Sequence, residues 1–226
     1  MSECLNPPEG DVSFPTLSPS RLPEMAHLPA WQNTDHYNRG FEEYCDSLGL
    51  NLRTFQDQRI LDIGAGRTAL FAKEAKANGI NNVTSLNPNW SLAECRDKPI
   101  YGQAVAGTVE ELPFADSSFD FVVSFWGVPA YLPGTEKAYF DTFHSIKRVL
   151  RPNGWGLLVP IPAMTVQQPE FYNILDSVFP GGGYEFVGTR YFPMPKLLLY
   201  KDISDDKRTE IETYKPSIAA ATFPIW

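Results

Sequence analysis

The stretch Ile60-Leu61-Asp62-Ile63-Gly64-Ala65-Gly66 constrains the fold more than any other part of the chain. An apolar strand runs into a glycine turn, and a carboxylate stands two residues before the first glycine. Glycine has no Cβ, so the backbone can turn sharply and lie against a ligand at the carboxyl end of the first strand of a parallel sheet. The pattern predicts a pocket for a nucleoside-bearing cofactor at that strand tip.

The spacing Gly64-x-Gly66-x-x-Ala69 also fits a dinucleotide fingerprint, so the glycines alone leave a nicotinamide enzyme open. Asp62 discriminates between the two. A pyrophosphate needs the partial positive charge of the following helix N-terminus, and a neighbouring carboxylate repels it. S-adenosylmethionine carries no phosphate but has an α-ammonium and a sulfonium, both of which a carboxylate attracts. Asp62 therefore favours the sulfonium cofactor.

The rest of the chain alternates strand and helix. Tyr37, Phe41, Tyr44, Cys45 and Leu48 recur at helical spacing from Thr34 on, and Gly49 stops them. Leu70, Phe71 and Ala75 fit a helix ended by Asn78-Gly79, followed by a short buried strand at Val83-Thr84-Ser85-Leu86. Strands are expected around 103–109, over the apolar run Phe119 to Phe125, from Trp155 to Val159, and near 184–192 and 196–200. Helices are expected after Thr135, with Tyr139, Phe143, Ile146 and Leu150 on one stripe, and after Pro169, with Phe171, Ile174, Leu175, Val178 and Phe179 on another. This order predicts an α/β fold: a doubly wound, mostly parallel seven-stranded sheet with helices on both faces.

Composition narrows the class further. At 226 residues the chain suits one domain with dressed ends. Residues 1–30 carry six prolines and read as an extended leader, 31–203 as the folded domain, and 204–226 as a C-terminal tail. The formal charge of −8 disfavours nucleic acid as a partner. Cys4, Cys45 and Cys95 are odd in number and form no C-x-x-C pair, so neither a disulfide framework nor a zinc site is expected. The lack of a basic-then-apolar start or a bilayer-length apolar run points to a cytoplasmic protein with no membrane span. The apolar run Ile218 to Trp226 is expected to dock on the body or on a protein partner.

Four segments, taken in order, resemble the class I S-adenosylmethionine-dependent methyltransferases, particularly the branch acting on small molecules and lipids. They are the Leu61 to Gly66 turn, Val109-Glu110-Glu111-Leu112-Pro113-Phe114, the pair Phe119-Asp120, and Ile146 to Gly154. The resemblance spans roughly Thr34 to Asp202 and implies transfer of a methyl group from S-adenosylmethionine to a small-molecule or lipid-like acceptor. It places Asp62, Gly64, Ala65, Gly66, Asn87, Thr108, Val109, Ser124 and Tyr37 at the cofactor, and Trp126, Tyr131 and His36 at the acceptor pocket. In the family the positions of Asn87 and Thr108 are usually acidic, gripping the ribose and the adenine. Both are neutral here, which motivates the alternative of an inactive methyltransferase-like protein that binds a nucleoside or serves as a partner subunit.

Asp120 precedes its apolar run, so it falls at the amino end of its strand, away from the ligand crevice, and reads as structural. No His–Asp pair or other base stands out. Methyl transfer is an in-line displacement in which orientation supplies much of the rate, so no fixed catalytic residue is required.

Overall fold

The computed structural model describes residues 39–90, 103–188 and 195–220, all within one compact unit spanning residues 35–226. Tyr37 and His36, the proline-rich leader and the last six residues lie outside the described segments.

The described chain runs α1 (Phe41–Leu48), α2 (Leu52–Phe55), β1 (Ile60–Ile63), α3 (Leu70–Ala77), β2 (Val83–Asn87), β3 (Gln103–Ala106) and β4 (Phe119–Phe125). It continues through α4 (Glu136–Val149), β5 (Leu150–Val159), α5 (Ala163–Val166), α6 (Pro169–Val178), β6 (Tyr184–Val187), β7 (Lys196–Tyr200), α7 (Asp205–Glu212) and α8 (Lys215–Ala220). The seven strands form one sheet in the order β3-β2-β1-β4-β5-β7-β6. Strands β1 to β5 pair in parallel, whereas β7 runs antiparallel between β5 and β6. The strand order reverses between β1 and β4, and in an open α/β sheet the ligand crevice opens at the carboxyl ends of such a pair.

Alternation along β1 sends its side chains into two cores. Ile60 packs with Phe41, Tyr44, Phe55 and Phe71 from α1 to α3, and Leu61 and Ile63 pack with Tyr139, Phe143, Ile146 and Phe171 from α4 and α6. Asp62 shares the face of Ile60. Phe71 is the hub of the first layer, stacked on Tyr44 at 4.2 Å and edge-on to Phe55 at 5.7 Å.

Local chemistry sets the helix ends. The Thr135 hydroxyl accepts the Ala138 N–H at 3.3 Å at the start of α4, and Pro169 opens α6. Gly49 closes α1 at φ 69°, a left-handed conformation that glycine adopts without a Cβ penalty. The Glu74 carboxylate caps the other end of α1, accepting the Phe41 N–H at 2.7 Å.

Residues 205–220, expected as part of a tail, fold as α7 and α8, with Ile211 and Ile218 fully buried in the first core. The buried Lys196 ammonium donates to the carbonyls of Ser47 and Ile218, so one cation neutralises the C-terminal ends of α1 and α8 together. Ile218 thus packs on the body, and the run from residue 221 on lies outside the described residues. Among the described residues no helix is long and apolar enough to cross a membrane.

Two of the sequence segments that carry the resemblance meet in space. The Arg148 guanidinium donates to the carbonyls of Leu112 and Phe114 at 2.6 Å each and pairs with Asp116 at 2.9 Å, pinning the loop after β3 against α4. Asp120 has the structural role expected of it: its carboxylate accepts the Arg59 N–H and the Arg151 guanidinium, each at 2.9 Å, tying the starts of β1, β4 and β5.

Candidate active site

The carboxyl ends of β1 and β4 approach each other through two glycines. Gly64 has φ 81°, and a Cβ on it would lie 3.0 Å from the Gly127 Cα. A Cβ on Gly127 would lie 2.7 Å from the Ile63 carbonyl, a separation that real side chains do not show. Only glycine at both positions lets the backbones close in, leaving the Gly64 to Gly66 turn bare of side chains toward the crevice.

Asp62 sits directly behind this turn and is fully buried. Its Oδ1 accepts the Tyr44 hydroxyl at 2.7 Å, while its Oδ2 is buried with no hydrogen-bond partner. Burial pushes the carboxyl up to about 7, against the lowering influence of the Tyr44 hydrogen bond and the Arg39 charge. Tyr44 in turn is raised well above the usual phenol range by its own burial and by the adjacent carboxylate. The strand-tip charge is therefore conditional: Asp62 is poised between neutral and ionised near neutral pH, and a cation beside Oδ2 would draw it to the ionised form.

Asn87 ends β2 beside the same turn. Its Nδ2 donates to the Gly66 carbonyl at 2.5 Å and its Oδ1 accepts the Asn89 N–H at 2.8 Å. Trp90, also buried, donates its indole N–H to the Arg67 carbonyl at 3.1 Å. These two side chains lash the turn to the β2 end from outside. Sequence reasoning missed Trp90 because only the tertiary fold brings it against Arg67.

Residues 61–158, from β1 to β5, match the family model described as "Methyltransferase domain". This match supports the class I S-adenosylmethionine-dependent methyltransferase family over that stretch. S-adenosylmethionine is the cofactor of such domains, and the match favours an enzyme over the inactive or nicotinamide-dependent readings. No curated protein matches the sequence. Among solved structures the methyltransferase resembles DesVI of Streptomyces venezuelae, with 13% identity, a TM-score of 0.54, and coverage of 74% of this chain and 94% of that one. It also resembles the PH0226 protein of Pyrococcus horikoshii OT3, with 16% identity, a TM-score of 0.48, and 75% and 92% coverage. The likeness to DesVI concerns the fold alone.

The methyltransferase site fits its cofactor at the points the residues test. The bare glycine turn leaves room for close backbone approach, and the buried, unpartnered Asp62 Oδ2 is an acceptor matched to a cation. The other expected site residues divide. Thr108 is half-buried and Val109 buried in the loop after β3, which is held by the Ser145 hydroxyl on the Glu110 carbonyl at 2.8 Å. Ala65 is buried within the turn.

Ser124, expected at the cofactor, has no exposed surface. Its hydroxyl donates to the Ile63 carbonyl and accepts the Val128 N–H, both at 2.8 Å. It is a brace between the β1 and β4 ends rather than a presented polar group. Asn87 is likewise engaged with the turn, where the resemblance implies a ribose clamp. Trp126 follows β4 at φ 61°, a conformation unusual for a bulky residue, and its N–H bonds the Val159 carbonyl at 2.6 Å. Tyr131, in the same loop, is 56% exposed, and Met164 on α5 after β5 is 72% exposed.

Proposed function

We propose that this methyltransferase acts in the cytoplasm on a small, predominantly apolar acceptor, which approaches over the loops that follow β4 and β5. The observation that carries the reading is the pair of exposed apolar side chains, Tyr131 in the loop after β4 and Met164 on α5 after β5. A water-soluble protein leaves large apolar groups at such positions chiefly where they meet a ligand. Trp126 adds a half-buried indole to the same loop.

Bound S-adenosylmethionine supplies a methyl carbon activated by its positive sulfur. The chain contributes position and field. The Gly64 to Gly66 backbone and Ala65 would cradle the cofactor, Asp62 would meet its cationic end with the unpartnered Oδ2, and Thr108 and Val109 would border the adenine from the loop after β3. Asn87 serves the ribose only with the accepting capacity left on Oδ1, since its Nδ2 is held by Gly66. Trp126 and Tyr131 shape the acceptor mouth and keep water from it, so that the acceptor is aligned rather than chemically activated.

Calorimetric titration with S-adenosylmethionine, S-adenosylhomocysteine and NAD, followed by a transfer assay over acceptors of graded polarity, tests this reading. Binding of the two sulfur nucleosides without NAD, and turnover that rises with acceptor apolarity and falls in Tyr131→Ala and Met164→Ala, are the expected results. Preference for polar acceptors, undiminished in both variants, would overturn it.

A further inference from the structure

A cavity lies at the other end of the sheet from the glycine turn. Its walls include Lys147 of α4, Phe179 and Gly181 in the turn between α6 and β6, Tyr200 at the end of β7, and Arg208 of α7. Tyr200 pairs with Trp155 of β5, Trp155 is level with Phe121 of β4, and Phe121 with Ile60, the first residue of β1. The cavity therefore sits at the amino ends of the parallel strands. Its volume is about 180 Å³, and a cavity of roughly 150 Å³ holds a benzene ring.

Two cations line it, each over an aromatic face. The Arg208 guanidinium carbon lies 5.3 Å from the ring centre of Tyr200, and the Lys147 ammonium 5.8 Å from that of Phe179. Both aromatic residues are buried and both cationic ones half-buried. Lys147 donates one of its three protons to the Val178 carbonyl at 2.5 Å. No described residue accepts a hydrogen bond from the Arg208 guanidinium, whose plane is held by the tyrosine beneath it. The Tyr200 hydroxyl is itself buried with no hydrogen-bond partner. On a cavity wall such a group is a donor for a polar ligand. Asp202 is the one acid in the lining, so two positive charges and one negative leave a single positive charge there, in a chain whose formal charge is −8.

We propose that this cavity is a second ligand site, which takes a small organic carboxylate with a short apolar body. Arg208 meets the carboxylate with its planar fork, a geometry that a guanidinium presents at little entropic cost, and Lys147 adds a second charge. Phe179 and Tyr200 border the apolar body. A single negative charge balances the single positive charge of the lining, whereas a phosphate dianion would also have to face Asp202. Gly181 has φ 69° and a Cβ on it would meet nothing within 4 Å, so the wall is open on that side. The site shares no residue with the crevice after β1, and the inference stands whether or not that crevice holds S-adenosylmethionine.

The test is an amide NMR titration of the full chain at constant ionic strength with butyrate, 1-butanol, butylammonium and inorganic phosphate. Butyrate is expected to shift the Gly181 and Gly183 amides saturably and to leave Gly64 and Gly66 in place. The alcohol and the ammonium, which keep the body and change the head, are expected to give no saturable shift, and phosphate to bind more weakly than butyrate. Arg208→Gln is expected to weaken butyrate about 10- to 100-fold, the loss of a charge-assisted contact, and the exposed Arg53→Gln on α2 to leave it within about twofold. Lys147→Gln should weaken butyrate as well, and an unchanged melting temperature in either lining variant shows that the fold is intact. Absence of a saturable butyrate shift, equal binding of 1-butanol, tighter binding of phosphate, or undiminished butyrate affinity in both lining variants would overturn the proposal.

Discussion

The Tyr44 hydroxyl donates a 2.7 Å hydrogen bond to Oδ1 of Asp62, joining the helix ahead of the sheet to the tip of its first strand. The tyrosine ring is held in turn by stacking on Phe71 and an edge contact with Phe125 at 5.3 Å. One carboxylate oxygen is thereby fixed, and the other is buried without a hydrogen-bond partner. A buried acid normally shows either full pairing or a shifted ionisation; Asp62 has half of each.

Cofactor affinity should depend on pH through Asp62. The folded carboxyl titrates near 7, against an ordinary value of 3.8. Between those values the folded protein holds a proton that the unfolded chain has lost, so the stability of the ligand-free protein falls as pH rises through that window. A cationic ligand favours the ionised form, so S-adenosylmethionine should bind more tightly as pH rises through about 7. Asp62→Asn should abolish that dependence and weaken binding at least tenfold. At pH 8 the same variant should stabilise the ligand-free fold by on the order of 1–3 kcal/mol. Calorimetry and thermal melts at pH 6 and 8 check both signs.

Tyr44→Phe removes the hydroxyl and keeps the ring. Because the hydrogen bond favours the charged carboxylate, its loss should move the pH midpoint of cofactor binding upward. It should also cost about 1–3 kcal/mol of stability through the orphaned Oδ1. A melt combined with a binding–pH profile separates the two effects, and an unmoved midpoint would show that the hydroxyl does not tune Asp62.

Restoring an acid at the β2 end should do harm. In Asn87→Asp the donor to the Gly66 carbonyl is replaced by an acceptor at a site where the present contact is 2.5 Å. Repulsion there should loosen the glycine turn, lowering stability by about 1–3 kcal/mol and weakening the cofactor rather than tightening it. Tighter binding in this variant would mean that the ribose, and not Gly66, governs the residue.

Gly127→Ala places a Cβ 2.6 Å from the Ser124 hydroxyl and 3.3 Å from the Gly64 Cα. It should push apart the β1 and β4 ends and disturb the brace that Ser124 makes to Ile63. The expected loss is roughly 1–3 kcal/mol in denaturant unfolding, accompanied by weaker cofactor binding; a neutral result would show that the loop after β4 yields freely.

The glycine turn, the alternation of strands with helices, and the structural role of Asp120 were legible because each rests on local backbone chemistry or on position within one strand. Residues whose partners lie far along the chain were not. Tyr44 read as part of an apolar stripe, which it is, but periodicity cannot tell that its hydroxyl reaches residue 62. The family resemblance implies a cofactor role for Ser124, whereas the pairing of β1 with β4 turns its hydroxyl onto Ile63. Helices α7 and α8 are short and weakly patterned, so residues 205–220 read as a tail, although Ile211 and Ile218 complete the first core.

The order of elements and the glycine turn after β1 follow from the sequence by itself, because turn chemistry and hydrophobic period act over a few residues. Tertiary structure decided how charged the crevice is. Burying Asp62 beside Tyr44 leaves one carboxylate oxygen hydrogen-bonded and the other buried without a partner. Solvation and distance set the behaviour of those groups, and neither is written in the order of the residues.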